Sequence, residues 1–200
     1  MSGMQDMGTA NEKYGICGIT STLYAVYQNM PSLQDRLGSA LSGADRDTRL
    51  MGEIKTFLRM MKADGKNSIL TDITELTQTF PNYEGWSVEL YIKQIDDALS
   101  TGSLSMAMPP DAVVEYIRTM WGMKAKIEMP VWYRGVSGPV ILGLTRTGAP
   151  RNRWNNLAHY VYKDSKGIIH SWGKTFKDMA TLNKIKNKDY KVIYHILVSI

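Results

Sequence analysis

Four apolar stripes at helical spacing come first along this chain, and every strand-like run comes after them. The first stripe, Ile19, Leu23, Val26 and Tyr27, follows Cys17 and is closed by Pro31. The second is Leu50, Ile54, Phe57, Leu58 and Met61, and the third is Val88, Tyr91, Ile92, Ile95 and Leu99. A fourth helix opens at Pro109-Pro110-Asp111 and presents Val113, Val114, Ile117, Met120 and Trp121. Recurrence at intervals of three and four puts such residues on one helical face, which must bury against something. Near residue 127 the texture changes to short branched runs bounded by Gly and Pro. Strands are expected at 127–133, 139–144, 157–163, 168–172 and 190–199, the last buried on both faces along its latter half. Helices first and strands last predict an α+β arrangement in two lobes, a helical part over about 13–125 and an antiparallel sheet over about 126–200. Residues 1–12, polar and rich in Gly and Met, read as a flexible N-terminal arm.

Composition narrows the function classes. At 200 residues and 44% hydrophobic, the chain is long enough for one complete core. A single cysteine excludes an internal disulfide framework. The absence of an apolar run of about 18 residues excludes a membrane-spanning helix. The opening residues lack a basic region followed by an apolar one, so no standard secretory signal is expected. Residues 146–200 carry 11 Lys and Arg against three acidic residues, while the rest carries 13 against 16. Such a basic stretch suits an acidic partner or simple solvation. Its cations do not interleave with stacking aromatics, so nucleic acid is not an expected partner.

The chemistry-bearing residues fall at two places. Gly15-Ile16-Cys17-Gly18 puts the lone cysteine where a loop becomes a long helix. The unpartnered amides and the dipole of a helix start favour thiolate over thiol, and the small residues at 15 and 18 would let a substrate backbone approach. The second place is a hairpin. His159 begins one strand, His170-Ser171-Trp172-Gly173 ends the next, and Asp164-Ser165-Lys166-Gly167 is the turn. A turn centred on Ser165-Lys166 would set Tyr162 opposite Ile169, Val161 opposite His170 and His159 opposite Trp172. His159, Val161, His170 and Trp172 would then share one face, with His170 orienting His159 as general base and Trp172 shielding them from water.

These motifs resemble those of the papain-like cysteine peptidases, in the Gly-Ile-Cys-Gly at 15–18, the later strand histidine His159 and the His-Ser-Trp-Gly at 170–173. The resemblance covers roughly 11–24 and 139–173. It implies a papain-like fold over 13–200, with catalytic Cys17 at a helix N-terminus and His159 on an antiparallel sheet. The family's oxyanion glutamine falls at Asn11, for which Gln5 or a backbone N–H could substitute. His170 stands where many members have asparagine, and other branches use a Cys-His-His set. No cofactor or metal is implied. The module also resembles domains of bacterial toxins and effectors. That implies a thiol protease made in the bacterial cytoplasm and delivered by a specialised secretion system, with a target-cell protein as substrate and a cognate immunity protein as partner. A peptidoglycan amidase or endopeptidase and a glutamine deamidase are the enzymatic alternatives, and a basic protein-binding module is the non-enzymatic one.

Other readings of the same residues are plainer. Cys17 could be a buried helix-start residue, and His170 could satisfy a backbone carbonyl at a strand end. His195, in an apolar strand, reads as a packed core histidine. Asp164 reads as a turn residue, and Asp178 as an alternative orienter. A zinc site at Cys17, His159 and His170 lacks close ligand spacing and a fourth ligand.

Overall fold

The computed structural model describes residues 15–30, 46–97, 104–130 and 138–199. Among these, six helices and a six-stranded antiparallel sheet form an α+β fold. In chain order they are α1 (Cys17–Asn29), α2 (Arg46–Ala63), α3 (Asn67–Gln78), α4 (Val88–Asp97), α5 (Pro110–Trp121), β1 (Lys124–Glu128), β2 (Val140–Thr145), β3 (His159–Lys163), β4 (Ile169–Ser171), β5 (Lys174–Phe176), α6 (Met179–Lys186) and β6 (Lys191–Ser199). The sheet order is β1-β6-β2-β3-β4-β5. The arm at 1–12, Pro31 and residues 131–133 lie outside the described residues, and the strand expected at 127–133 is found three residues earlier, as β1 at Lys124–Glu128.

All four expected helices are present. α5 starts where its prolines dictate, with Pro109 extended at the N-cap and Pro110 as the first helical residue, where a missing N–H costs nothing. It stops at Gly122, whose φ of 66° suits the left-handed cap. α1 differs from its amphipathic reading. Every residue from Gly18 to Val26 is buried, because the sheet covers one side and α5 another. Its hydroxyls permit this: Thr22 donates to the Gly18 carbonyl at 2.9 Å and Thr20 to that of Ile16 at 3.4 Å.

The two faces of the sheet have different cover. Ile141, Tyr160, Tyr162, Tyr194 and Ile196 join the large core with α1 and the other N-terminal helices. Val140, Leu142, Leu144, Val161 and Ile169 form a second core with Leu182 of α6. Helices α3 and α6 and strand β5 have no counterpart in the sequence reading. α3 buries only Ile73, Leu76 and Thr77, and α6 only Leu182, so neither writes a long stripe. β6 is buried at its centre, at Tyr194, His195 and Ile196, rather than along its latter half. No described helix is long and apolar enough to cross a membrane.

Candidate active site

Gly15 carries the backbone into α1 at a φ of 58°, and a Cβ there would sit 2.7 Å from the Ser105 hydroxyl oxygen. Both the conformation and the lack of space demand glycine. Gly18 has a different use from the expected one. A Cβ there would meet Met108 and Val113 at 3.2 and 3.3 Å, so its smallness serves packing rather than substrate approach. Cys17 is the first residue of α1 and is partly buried. Backbone amides of Tyr160, Gly18 and Cys17 itself act on its sulfur to favour the thiolate, as the helix-start argument expects. Burial outweighs them and pushes the thiol up to about 11. The expected thiolate is therefore corrected: at neutral pH Cys17 is a thiol.

His159 is the first residue of β3 and is buried. The hairpin register is one residue away from the expected one, with Tyr162 opposite His170 and Lys163 opposite Ile169. The turn explains the slip. The Asp164 N–H donates to the Ile168 carbonyl at 3.0 Å, and Gly167 takes a φ of 85°. The loop is thus the three residues 165–167, closed by a left-handed glycine, instead of two. Asp164 Oδ1 accepts from the amides of Lys166 and Ile168, as a turn residue should.

One residue of slip exchanges the faces of β4. His170 lies on the α1 side of the sheet, where its ring centroid is 5.5 Å from that of Tyr24 and its Nε2 is 2.9 Å from Asp164 Oδ2. It does not orient His159, and the Cys-His-His reading is corrected accordingly. Ser171 takes that place, with its Oγ 2.9 Å from His159 Nε2. Gly167 at the end of the turn was the sequence signal that could have found it. Asp178, the alternative orienter, instead caps α6 by accepting the Thr181 amide at 2.7 Å.

Trp172 does lie against His159, though by a tight turn after β4 rather than by strand alternation. The two rings stack with centroids 4.0 Å apart and planes within 5°. Trp172 holds a φ of 48°, a left-handed backbone costing a bulky residue ~1–3 kcal/mol. Ring stacking of ~0.5–1.5 kcal/mol and a cation–π contact with Lys186, at 4.1 Å and ~0.5–2 kcal/mol, are of the size needed to offset it. Burial, with the nearby Lys186 charge, pushes the His159 imidazole down to about 3. It is neutral across the physiological range.

Cys17 and His159 line one cavity of about 190 Å³. They come from opposite layers, which is possible because β3 begins at His159 and the sheet no longer separates them. Trp172, Tyr160, Leu157 and Ala158 line it from the sheet side. The far wall, missed in the sequence reading, is Leu76 and Thr77 of α3, Phe80, Tyr83 and part of the segment 104–109. In that segment Leu104, Met106 and Met108 are buried, and Ser105, Ala107 and Met108 line the cavity. Thr77 pins the segment, its Oγ1 accepting the Ala107 N–H at 3.0 Å. Among the described residues, no Asp, Glu, Lys or Arg lines the cavity.

Asn11 and Gln5, expected near the oxyanion, lie outside the described residues. His195 is buried on the α6 face, opposite Glu128 and Leu142, and does not line the cavity. Among the described residues no group of three or more His, Cys, Asp or Glu is placed to hold a metal ion. No protein-family model, curated protein or solved structure matches the chain.

Proposed function

We propose that this chain is a papain-like cysteine hydrolase that cleaves a peptide bond by acyl transfer through Cys17 and His159. One observation carries the reading: the lone cysteine and a buried imidazole line the same cavity, and the imidazole is held by Ser171 and covered by Trp172. A nucleophile, a base within one cavity and a group orienting that base are the parts such chemistry requires. The position of Cys17 at the start of a helix packed on the sheet, and of His159 at the start of a strand, supports the family resemblance.

The neutral state of both groups shapes the mechanism. With Nε2 engaged by Ser171, Nδ1 is the nitrogen that takes the thiol proton as Sγ attacks the carbonyl carbon. The Cys17 backbone N–H, at the start of α1, donates to the developing oxyanion. The imidazolium then protonates the leaving amine, which departs and leaves a thioester. Water, deprotonated by His159, hydrolyses the thioester and releases the acid and the thiol. Because the imidazolium exists only during the reaction, burial of the pair is compatible with turnover.

The cavity favours a polymer over a small molecule, since about 190 Å³ falls below the roughly 300–1,000 Å³ of sites that engulf drug-sized ligands. It suits one side chain of a longer substrate. A lining of Leu76, Phe80, Ala107, Met108 and Leu157 without charge favours an apolar side chain over the carboxylates of a cell-wall peptide. We extend the proposal to an effector role, in which the substrate is a protein of a bacterial target cell and an immunity protein protects the producer.

Expression of the wild type and of Cys17→Ala in bacterial cells, followed by mass spectrometry of protein termini, tests the proposal. New termini confined to the wild type, following apolar residues, are expected. Muropeptide release from purified sacculi would favour the amidase instead, and a 1 Da gain in an uncut protein the deamidase. Full activity in Cys17→Ala would remove the site assignment.

A further inference from the structure

The Trp172 indole has partners on both faces. The His159 imidazole is stacked on it at 4.0 Å, and Lys186 Nζ stands 4.1 Å from its ring centroid. Two groups about 4 Å from one ring cannot share a face without colliding, so Lys186 lies on the side turned away from His159. Nothing in the covalent structure of a tryptophan favours its φ of 48°. Its place must come from what holds it, and Lys186 is well situated to do so. It is the last residue of α6, a helix fixed at its start by Asp178 and at its end by the left-handed Asn187. The carbonyl end of a helix also favours a cation.

We infer that Lys186 is a positioning residue of this site: from the far face it clamps the Trp172 indole flat on His159 and so keeps the imidazole in the orientation in which Nε2 meets Ser171. The clamp deepens the reading of Cys17 and His159 as a hydrolase pair, and its catalytic meaning rests on that reading. The groups around His159 are Ser171 from β4, Tyr190 ahead of β6 with its ring 5.9 Å away, Lys186 from α6 acting through the indole, and Cys17 of α1, which lines the same cavity. Lys186 is the only Lys, Arg, Asp or Glu among them. Its charge opposes a proton on the ring, in the same direction as burial. Lys186 thus serves geometry and protonation together.

Nuclear magnetic resonance of the imidazole protons at pH 7 tests the clamp without any substrate. The chain has three histidines, so His170→Gln and His195→Gln assign the His159 signals by elimination. In the wild type the indole above the ring displaces those signals upfield. In Lys186→Met and Lys186→Gln they are expected to move back toward unstacked positions, and Lys186→Arg is expected to restore them, because a guanidinium also stacks on an indole. Unmoved His159 signals in both neutral variants, with His195 signals showing an intact fold, would overturn the clamp and leave the hydrolase reading standing. Full hydrolysis by Cys17→Ala would do the reverse. Where hydrolysis is measured, loss of the clamp lowers kcat and leaves KM in place, since the stack orients the base and does not touch substrate.

Discussion

Cys17 and His159 are both held in their neutral forms, and burial is the first cause in each. This distinguishes a neutral pair from a preformed thiolate–imidazolium pair, and alkylation kinetics can read the difference. With a thiol pushed up to about 11, the thiolate fraction grows about tenfold per pH unit below that value. The rate of iodoacetamide labelling at Cys17, followed by mass, is expected to climb in that way from pH 7 to about pH 10. A plateau reached below pH 7 would show the ion pair instead. The partner of His159 is equally open to test. Ser171→Ala leaves the buried Nε2 without its hydrogen bond, a loss of ~1–3 kcal/mol, and turnover is expected to fall about tenfold or more. His170→Gln, on the other face of the sheet, is expected to leave turnover within about twofold. The opposite pattern would restore His170 as the orienter.

At the scale of elements, the hairpin is the part on which the site turns. Its three-residue loop depends on Gly167, whose φ of 85° lies where other residues are strained but where a Cβ would meet only the Lys163 Cε, at 4.0 Å. Gly167→Ala is therefore expected to cost ~1 kcal/mol from backbone strain alone, measured by urea unfolding. Deleting Gly167 leaves the two-residue loop Ser165-Lys166 with Asp164 still beside Ile168, so the observed register and the contact of Ser171 with His159 are expected to persist where the chain folds. The Asp164 contact with His170 holds the observed register from the other side of the sheet. Turn chemistry is thus coupled to catalytic geometry through a side-chain period of two, which turns a shift of one residue into a change of face.

For the molecule as a whole, the buried imidazole ties stability to pH. The folded-state value of His159, about 3, is below the ordinary 6.5, so the unfolded chain binds a proton between these values that the folded chain does not. Stability is full above about pH 6.5 and falls as pH drops toward 3. Between pH 7 and pH 5 the expected loss is on the order of 1–2 kcal/mol, and urea unfolding of His159→Gln should show a correspondingly flatter dependence. Equal slopes for the two proteins would mean that His159 is not buried neutral. The parts of this fold that could be read directly are the ones written locally. Apolar recurrence and terminal residues such as Pro109 and Pro110 mark the helices that carry broad buried faces, and a Gly-flanked cysteine at a helix start needs no distant partner to be noticed. The α+β order and the places of Cys17 and His159 therefore belong to the amino-acid sequence alone. The charge state of the sulfur, the exchange of His170 for Ser171, the wall built by α3 and the segment 104–109, and the clamp from Lys186 were decided by tertiary structure. Each depends on desolvation or on contacts between residues far apart in the chain, and a local pattern does not encode what will be brought against it.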